Sequence, residues 1–372
     1  MQNDKMKFCW KLRHELHENA ELSGKEQVTS SIIKQFLRDN TALTVIEKDN
    51  YFYAVHKCGE GFENIAFRAD IDAVPVNEDL DIEYKSKTQG VSHKCGHDGH
   101  STVIAAMGLF LDEIKDKNVY LLFQPSEEVG TGAKKIVEDN FLEDNKISRI
   151  YGFHNIPGSD MGRVLLKEDV FACASKGMEI ILHGTPAHAA YPEFGINPAY
   201  AISDIVTFIR NVCSNEDFSN MVLCTIVNIQ VGERAFGTSA GEGSLLMTIR
   251  GEDEKELRLL EDKIRTFSDS VCTKYGIRSE TLIHDEFPET RNYNSVIEDI
   301  ENVCKKQNID FENISEPFRW SEDFGYYLKN TEGAIIGIGS GNNQPQLHTK
   351  EYDFPDELIE KALKVMLTIC RM

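Results

Sequence analysis

Asn64-Ile-Ala-Phe-Arg-Ala-Asp70, then Ser101 to Ile114, then Val119-Tyr-Leu-Leu-Phe-Gln124 are the stretches whose reading decides the fold class. The first and last are short runs rich in β-branched and aromatic residues. The middle one is mostly apolar and long enough for a buried helix. Arg149-Ile-Tyr-Gly-Phe-His154 repeats the strand texture further on. Strands that alternate with helices predict an α/β fold, with a parallel or mixed sheet flanked by helices on both faces.

Working outward, residues 4–18 read as a helix carrying Phe8, Leu12 and Leu16 on one face. A second helix at 25–38 carries Val28, Ile32, Ile33, Phe36 and Leu37. Beyond residue 175 the texture changes. Met178 to His183, Met221 to Val231 and Ser244 to Arg250 read as strands, with helices at 197–213 and from Glu254 to Tyr275. This pattern predicts a small α+β domain at 176–285, inserted into a larger domain formed by 1–175 and 286–372. Helices at 294–307 and 355–370 complete the larger domain.

The formal net charge of −21 over 372 residues repels nucleic acid and anionic membrane surfaces, so neither is an expected partner. An anionic substrate would then need a locally positive site, supplied by metal ions or a placed arginine. No run approaches the roughly 18 apolar residues of a membrane span, and the polar N-terminus lacks the apolar core of a signal peptide. The nine cysteines are scattered and odd in number, which argues against a disulfide scaffold and fits a reducing cytoplasm.

Ligand-capable side chains collect in Ser92-His-Lys-Cys-Gly-His-Asp-Gly-His100. Thiolate and imidazole suit zinc and similar first-row metals. The glycines allow a tight loop to aim several side chains at one point. Phe123-Gln-Pro-Ser-Glu-Glu128 places adjacent carboxylates just past a strand end, where one can bind metal while the other acts as a base. His154 and His348 follow later, each expected at the end of a strand. Asp98 reads as a cap of the following helix, or alternatively as a ligand. His93 and His100 read as supporting residues more readily than as ligands. His14, His17, His56, His183 and His284 read as structural. Arg250 is open between holding a substrate carboxylate and a surface role.

Taken together, these motifs resemble the M20 metallopeptidases, in particular the amidohydrolase branch of N-acyl-amino-acid deacylases, hippurate hydrolases and auxin-conjugate hydrolases. The likeness runs nearly end to end, through Leu16 to Leu22, Arg68-Ala-Asp-Ile-Asp-Ala-Val-Pro75, Cys95-Gly-His-Asp-Gly-His100, Gln124-Pro-Ser-Glu-Glu128, Gly152-Phe-His154, Ala187-His-Ala-Ala-Tyr-Pro192, Ser321 to Phe324, and His348 with Phe354 to Glu357. The resemblance implies that Cys95, His97, Glu128, His154 and His348 hold two divalent ions. Zinc comes first on the Cys ligand, with manganese, cobalt or nickel also accommodated. It implies Glu127 as general base and acid, Asp72 as the orienter of a His ligand, and His188 as donor to the oxyanion. Because that histidine reaches the partner's site in this family, a homodimer or higher homo-oligomer is implied, with the inserted domain as lid and dimerisation surface. The implied reaction is hydrolysis of an N-acyl-amino acid.

The sequence departs from the family at Phe236 to Ser244, where an Asn-Val-Ile-Pro stretch is common. It departs again at Ser92 and Lys94, where Met and Ala are usual, and at Ala20, where a Pro is usual. The first departure leaves acyl and amino-acid preference open. Two other readings compete: a dipeptidase or carboxypeptidase of the same superfamily, and a non-catalytic homologue that binds metal or an acyl-amino acid.

Overall fold

The computed structural model describes all residues except Met1, Asn215 and Glu216, with the side chains of residues 2–4 also left aside. The chain divides into two compact units. The first comprises Met1–Phe171, Thr290–Pro317 and Asp323–Met372, and the second comprises Ala172–Glu289 and Phe318–Glu322.

In chain order the strands are β1 (Thr44–Glu47), β2 (Phe52–His56), β3 (Glu63–Asp70), β4 (Lys117–Gln124), β5 (Ile147–Pro157), β6 (Val164–Leu166) and β7 (Asp169–Ala172). β8 (Ala174–His183), β9 (Val222–Val231), β10 (Glu242–Gly251) and β11 (Arg278–Phe287) follow, then β12 (Thr290–Asn292), β13 (Phe311–Asn313) and β14 (Glu332–Gly341). The first unit is built on one mixed sheet in the order β1-β2-β4-β3-β5-β14-β6-β13. Its centre, β4-β3-β5-β14, is parallel. Parallel strands must be covered on both faces, which is why β4 is buried at every position.

The register of this sheet sets the site. Asp70 at the end of β3 faces Gln124 at the end of β4. Phe67 pairs with Tyr151 of β5, so Asp70 and His154, each three residues further on, stand at the same level. The carboxyl ends of β3 and β4 therefore open level with His154, which lies inside the longer β5.

The helix between β3 and β4 differs from the one expected at Ser101–Ile114. It runs from His97 to Met107, and all its residues are buried. Gly108 follows, and Leu111–Glu113 forms only a short 3-10 turn. His97 thus opens the helix instead of preceding it. The first helix, Gln2–Glu18, buries Met6, Cys9, Leu12 and Leu16, whereas Phe8 is exposed. At 3.6 residues per turn a row spaced by four drifts off the face, and the row through Met6 and Cys9 keeps to it. Val28 is likewise exposed, while Thr29, Ile33 and Leu37 are buried in the helix Gln27–Asn40.

The second unit is a four-stranded antiparallel sheet, β11-β8-β10-β9, with helices Pro198–Val212 and Glu254–Tyr275. Met178, Ile180 and Leu182 alternate inward from β8 and pack with Leu245, Met247 and Ile249 of β10. The helices bring Ile202, Ile205, Leu257, Leu260 and Ile264 to the same core. Asn197 and Asp253 cap the helices by accepting backbone N–H bonds. β11 was not anticipated. Its charged, exposed alternation carries too little apolar signal to mark a strand, and its pairing to β8 supplies what propensity does not.

Candidate metal centre

The loop that carries Cys95 and His97 is fixed from within. Gly96 has φ +98°, a left-handed conformation that side chains rarely adopt, and a Cβ there would stand 2.7 Å from Asn155 Oδ1. That turn puts the Cys95 thiol beside β5 and starts the buried helix at His97.

The two buried imidazoles share one arrangement. His97 Nδ1 lies 2.9 Å from the Asp72 carbonyl, and His154 Nδ1 lies 2.9 Å from the Asn155 carbonyl. Each Nδ1–H donates to a carbonyl, so in the neutral ring each Nε2 offers its lone pair. His154 Nε2 stands 3.5 Å from Cys95 Sγ. His97 Nε2 has Asp70 Oδ2 at 3.6 Å, Glu128 Oε1 at 3.7 Å and Glu127 Oε2 at 3.9 Å. His348 Nε2 lies 3.4 Å from Glu128 Oε1.

Donor atoms of Cys95, His97 and His154 lie within 4.8 Å of one another, as do those of Cys95, Glu128 and His348, and those of His97, Glu127 and Glu128. The structure therefore brings together Cys95, His97, Glu127, Glu128, His154 and His348, with Asp72 alongside. His188 belongs to the second unit.

These residues fit a divalent cation. His97 Nε2 and Glu128 Oε1 are buried without a hydrogen-bond partner, a costly state for polar atoms unless something else satisfies them. Burial alone would push the His97 imidazole down, but Asp70, Asp72 and Glu128 overcome it and lift it to about 10. Burial, with Glu128, Glu127 and Asp70 around it, raises the Cys95 thiol well above its ordinary value. Burial and the neighbouring His100 keep His154 well below the usual imidazole range. The cluster is a pocket of gathered negative charge lined by soft and borderline donors, which is what a transition-metal dication neutralises.

Some expectations need correction. His154 lies within β5, three residues from its end, and His348 sits in a turn seven residues beyond β14, with φ +62°. Neither marks a strand end. Asp98 caps nothing beyond the N–H of adjacent Gly99. Its carboxylate accepts from Arg13 Nη1 at 3.2 Å and meets His17 Nδ1 at 2.8 Å. His17, read as structural, has that role: its other nitrogen meets Glu78 Oε1 at 3.0 Å. Arg250 donates to the Arg319 carbonyl and Ser321 Oγ. His100 spends both nitrogens on Asp70 and Asn155.

Asp70 and Asp72 both read from the sequence as ending a strand, with the functional weight on Asp72, yet Asp70 also faces the cluster. Arg68 spans Gln124, Asp70 and Asp323 with bonds of 2.7–2.9 Å, and holds Asp70 toward His97 and His100. An arginine inside an otherwise apolar strand was the available signal, because a buried guanidinium demands carboxylate partners.

In the second unit, His188 Nδ1 accepts from the Ala190 N–H at 3.0 Å, which leaves the ring proton on exposed Nε2. Its backbone bridges to Thr238 in the divergent segment, where Phe236 is 98% exposed. Thr238, Ser239 and Gly241 of that segment border an open cleft of about 660 Å³ with Pro186 and Gln230.

Residues 66–372 match Peptidase family M20/M25/M40. The chain belongs to that family. It is 29% identical over 360 residues to a hippurate hydrolase of Campylobacter jejuni, covering 95% of this chain and 93% of the relative. It is 28% identical over 367 residues to an uncharacterised hydrolase of Staphylococcus haemolyticus, covering 95% of each. The crystal structure of a putative aminohydrolase from methicillin-resistant Staphylococcus aureus superposes with a TM-score of 0.89 at 25% identity, over 99% of this chain and 97% of that one. A dinuclear metal-binding M20 peptidase of Bacillus subtilis has the same fold, with a TM-score of 0.85 at 23% identity and coverage of 99% and 98%. This M20 member is an enzyme, a metal-dependent amidohydrolase. None of its described helices is long and apolar enough to cross a membrane.

Proposed function

We propose that the chain hydrolyses the amide bond of N-acyl-amino acids, with Cys95, His97, Glu128, His154 and His348 as ligands of two divalent ions. The observation that carries this reading is the pair of donor triads that share Cys95, one with His97 and His154 and one with Glu128 and His348. Two triads meeting at one thiolate suit two adjacent ions. The thiolate and imidazoles favour zinc, with manganese, cobalt or nickel also fitting. The likeness to a hippurate hydrolase favours an acylated amino acid over a dipeptide.

When bound, the ions supply Lewis acidity, which acidifies a water and polarises the scissile carbonyl. Glu127 is buried, and its Oε2 stands 3.9 Å from His97 Nε2, at the rim of the donor cluster. Its carboxylate takes the proton of the attacking water and hands it to the leaving nitrogen. Asp72 holds His97 through its backbone carbonyl at 2.9 Å, with its carboxylate 3.5 Å away, and steadies the Glu128 backbone N–H at 3.0 Å. His188, with Nε2–H free to donate, stabilises the oxyanion from the inserted domain at about 176–285, which serves as lid and dimerisation surface of a homodimer.

Glu127→Gln tests the base directly. Its turnover should fall by about 10²–10⁴-fold while metal content stays unchanged. Normal turnover with metal still bound would remove Glu127 from the mechanism.

A further inference from the structure

Lys94, immediately before Cys95, is fully buried. A buried ammonium must be matched by charge and acceptors, or its desolvation goes uncompensated. Lys94 Nζ donates to Glu78 Oε1 at 2.5 Å and to the Tyr352 carbonyl at 2.7 Å. Its own carbonyl accepts the His348 N–H at 2.8 Å. One residue thus grips both ends of the turn from His348 to Tyr352, the first through its backbone and the last through its side chain. Glu78 is fixed in turn by His17 Nε2 at 3.0 Å and the Ser86 N–H at 2.9 Å, so the ammonium has a set place to stand.

His348 needs such a hold. It lies in a turn, its φ is +62°, and its side chain is 50% exposed. With the ring only half covered, its position relative to Glu128 depends on the backbone that carries it.

We propose that Lys94 is a positioning residue whose buried ammonium pins the His348–Tyr352 turn to the Cys95–His97 loop and thereby places the His348 imidazole against Glu128. This rests on the reading of His348 as a metal ligand. An apolar side chain of equal length would fill the same volume but remove the Lys94 donor from the Tyr352 carbonyl and leave Glu78 with His17 and Ser86 alone. The turn would then keep the His348–Lys94 backbone bond but lose its second anchor.

The test is a zinc titration of the metal-free protein against a chelating indicator, with melting followed in parallel. Lys94→Met should weaken zinc binding by about 10-fold or more, as loss of a ligand's support does. In a His348→Ala background the same substitution should change affinity less than about 2-fold, because the residue acts through His348. Should Lys94→Met fail to fold, Lys94→Gln keeps a donor for Tyr352 without the charge and should show a smaller loss in the same cycle. A variant that melts earlier but binds zinc like the wild type overturns the proposal, as does an equal loss in both backgrounds. If His348→Ala alone leaves affinity unchanged, the ligand reading falls and the proposal falls with it. If His348→Ala weakens binding and the Lys94 variants do not, only the proposal falls.

Discussion

At the scale of single residues, the site works by restricting what each side chain can do. His97 and His154 each give Nδ1 to a carbonyl and keep Nε2 for the centre. Cys95 contributes a thiol that burial and the nearby carboxylates keep protonated until something cationic arrives. With cobalt bound, the protein should show thiolate-to-cobalt charge-transfer absorption in the near ultraviolet, and Cys95→Ser should abolish it. A wild-type band that survives the substitution would take Cys95 out of the coordination sphere. The Cys95–His97 window is the part of the site most legible in the sequence, because a thiol and imidazoles around glycine are unusual in eight residues. Asp70 was illegible, since an aspartate at a strand end looks like any solvated turn residue. Its burial appears only when Arg68, Gln124 and Asp323 close around it.

At the scale of elements, the candidate metal loop is a left-handed glycine followed by a helix with no exposed face. Gly96→Ala would force Cβ to within 2.7 Å of Asn155 Oδ1 at φ +98°. It should cost about 1–3 kcal/mol, read as a lower urea midpoint. An unchanged midpoint would show that the loop can be rebuilt. Gly99 is tighter still, with a Cβ position 2.3 Å from the Phe354 ring, so the helix and the segment after His348 approach closely only because Gly99 lacks a side chain. Helices with strong apolar periodicity were readable to within a residue or two, as for Glu254–Tyr275 and Asn294–Gln307. The helix from His97 was misplaced by four residues at its start because its first turn is polar and buried together, which no amphipathic pattern records. The short strands β1, β6 and β13 owe their existence to neighbours in the sheet, and their three or four residues carry no period of their own.

At the scale of the molecule, a buried ionic network joins the N-terminal helix to the metal loop. Arg13 is fully buried and binds Asp98, Asp353 and Asp356, while His17 bridges Asp98 and Glu78. Burial would lower the His17 pKa, but hydrogen bonds to Asp98 and Glu78 prevail and raise it to about 9. A folded-state value above the ordinary imidazole value of about 6.5 stabilises the native state fully below that pH. The contribution, roughly 3 kcal/mol, is lost as pH rises through about 9. His17→Gln should therefore flatten the fall in urea stability between pH 6.5 and 9.5, to within about 1 kcal/mol. An equally steep fall in the variant would assign the loss to another group. The sequence showed the five candidate ligands through their motifs, yet it could not show this scaffold, because its members are spread from Arg13 to Asp356 and meet only in the folded chain.

On the proposed reading, a metal bound by these residues makes the chain an N-acyl-amino-acid hydrolase. The direct measurement is release of free amino acid from N-acetyl- and N-benzoyl-amino acids beside dipeptides, with protein stripped by a chelator and then reloaded with zinc, manganese, cobalt or nickel. Stripped protein should be inactive, at least one metal should restore turnover, and acylated amino acids should be cleaved faster than dipeptides. Metal-replete protein that cleaves only dipeptides, or that binds an acylated amino acid without ever cleaving one, would contradict it.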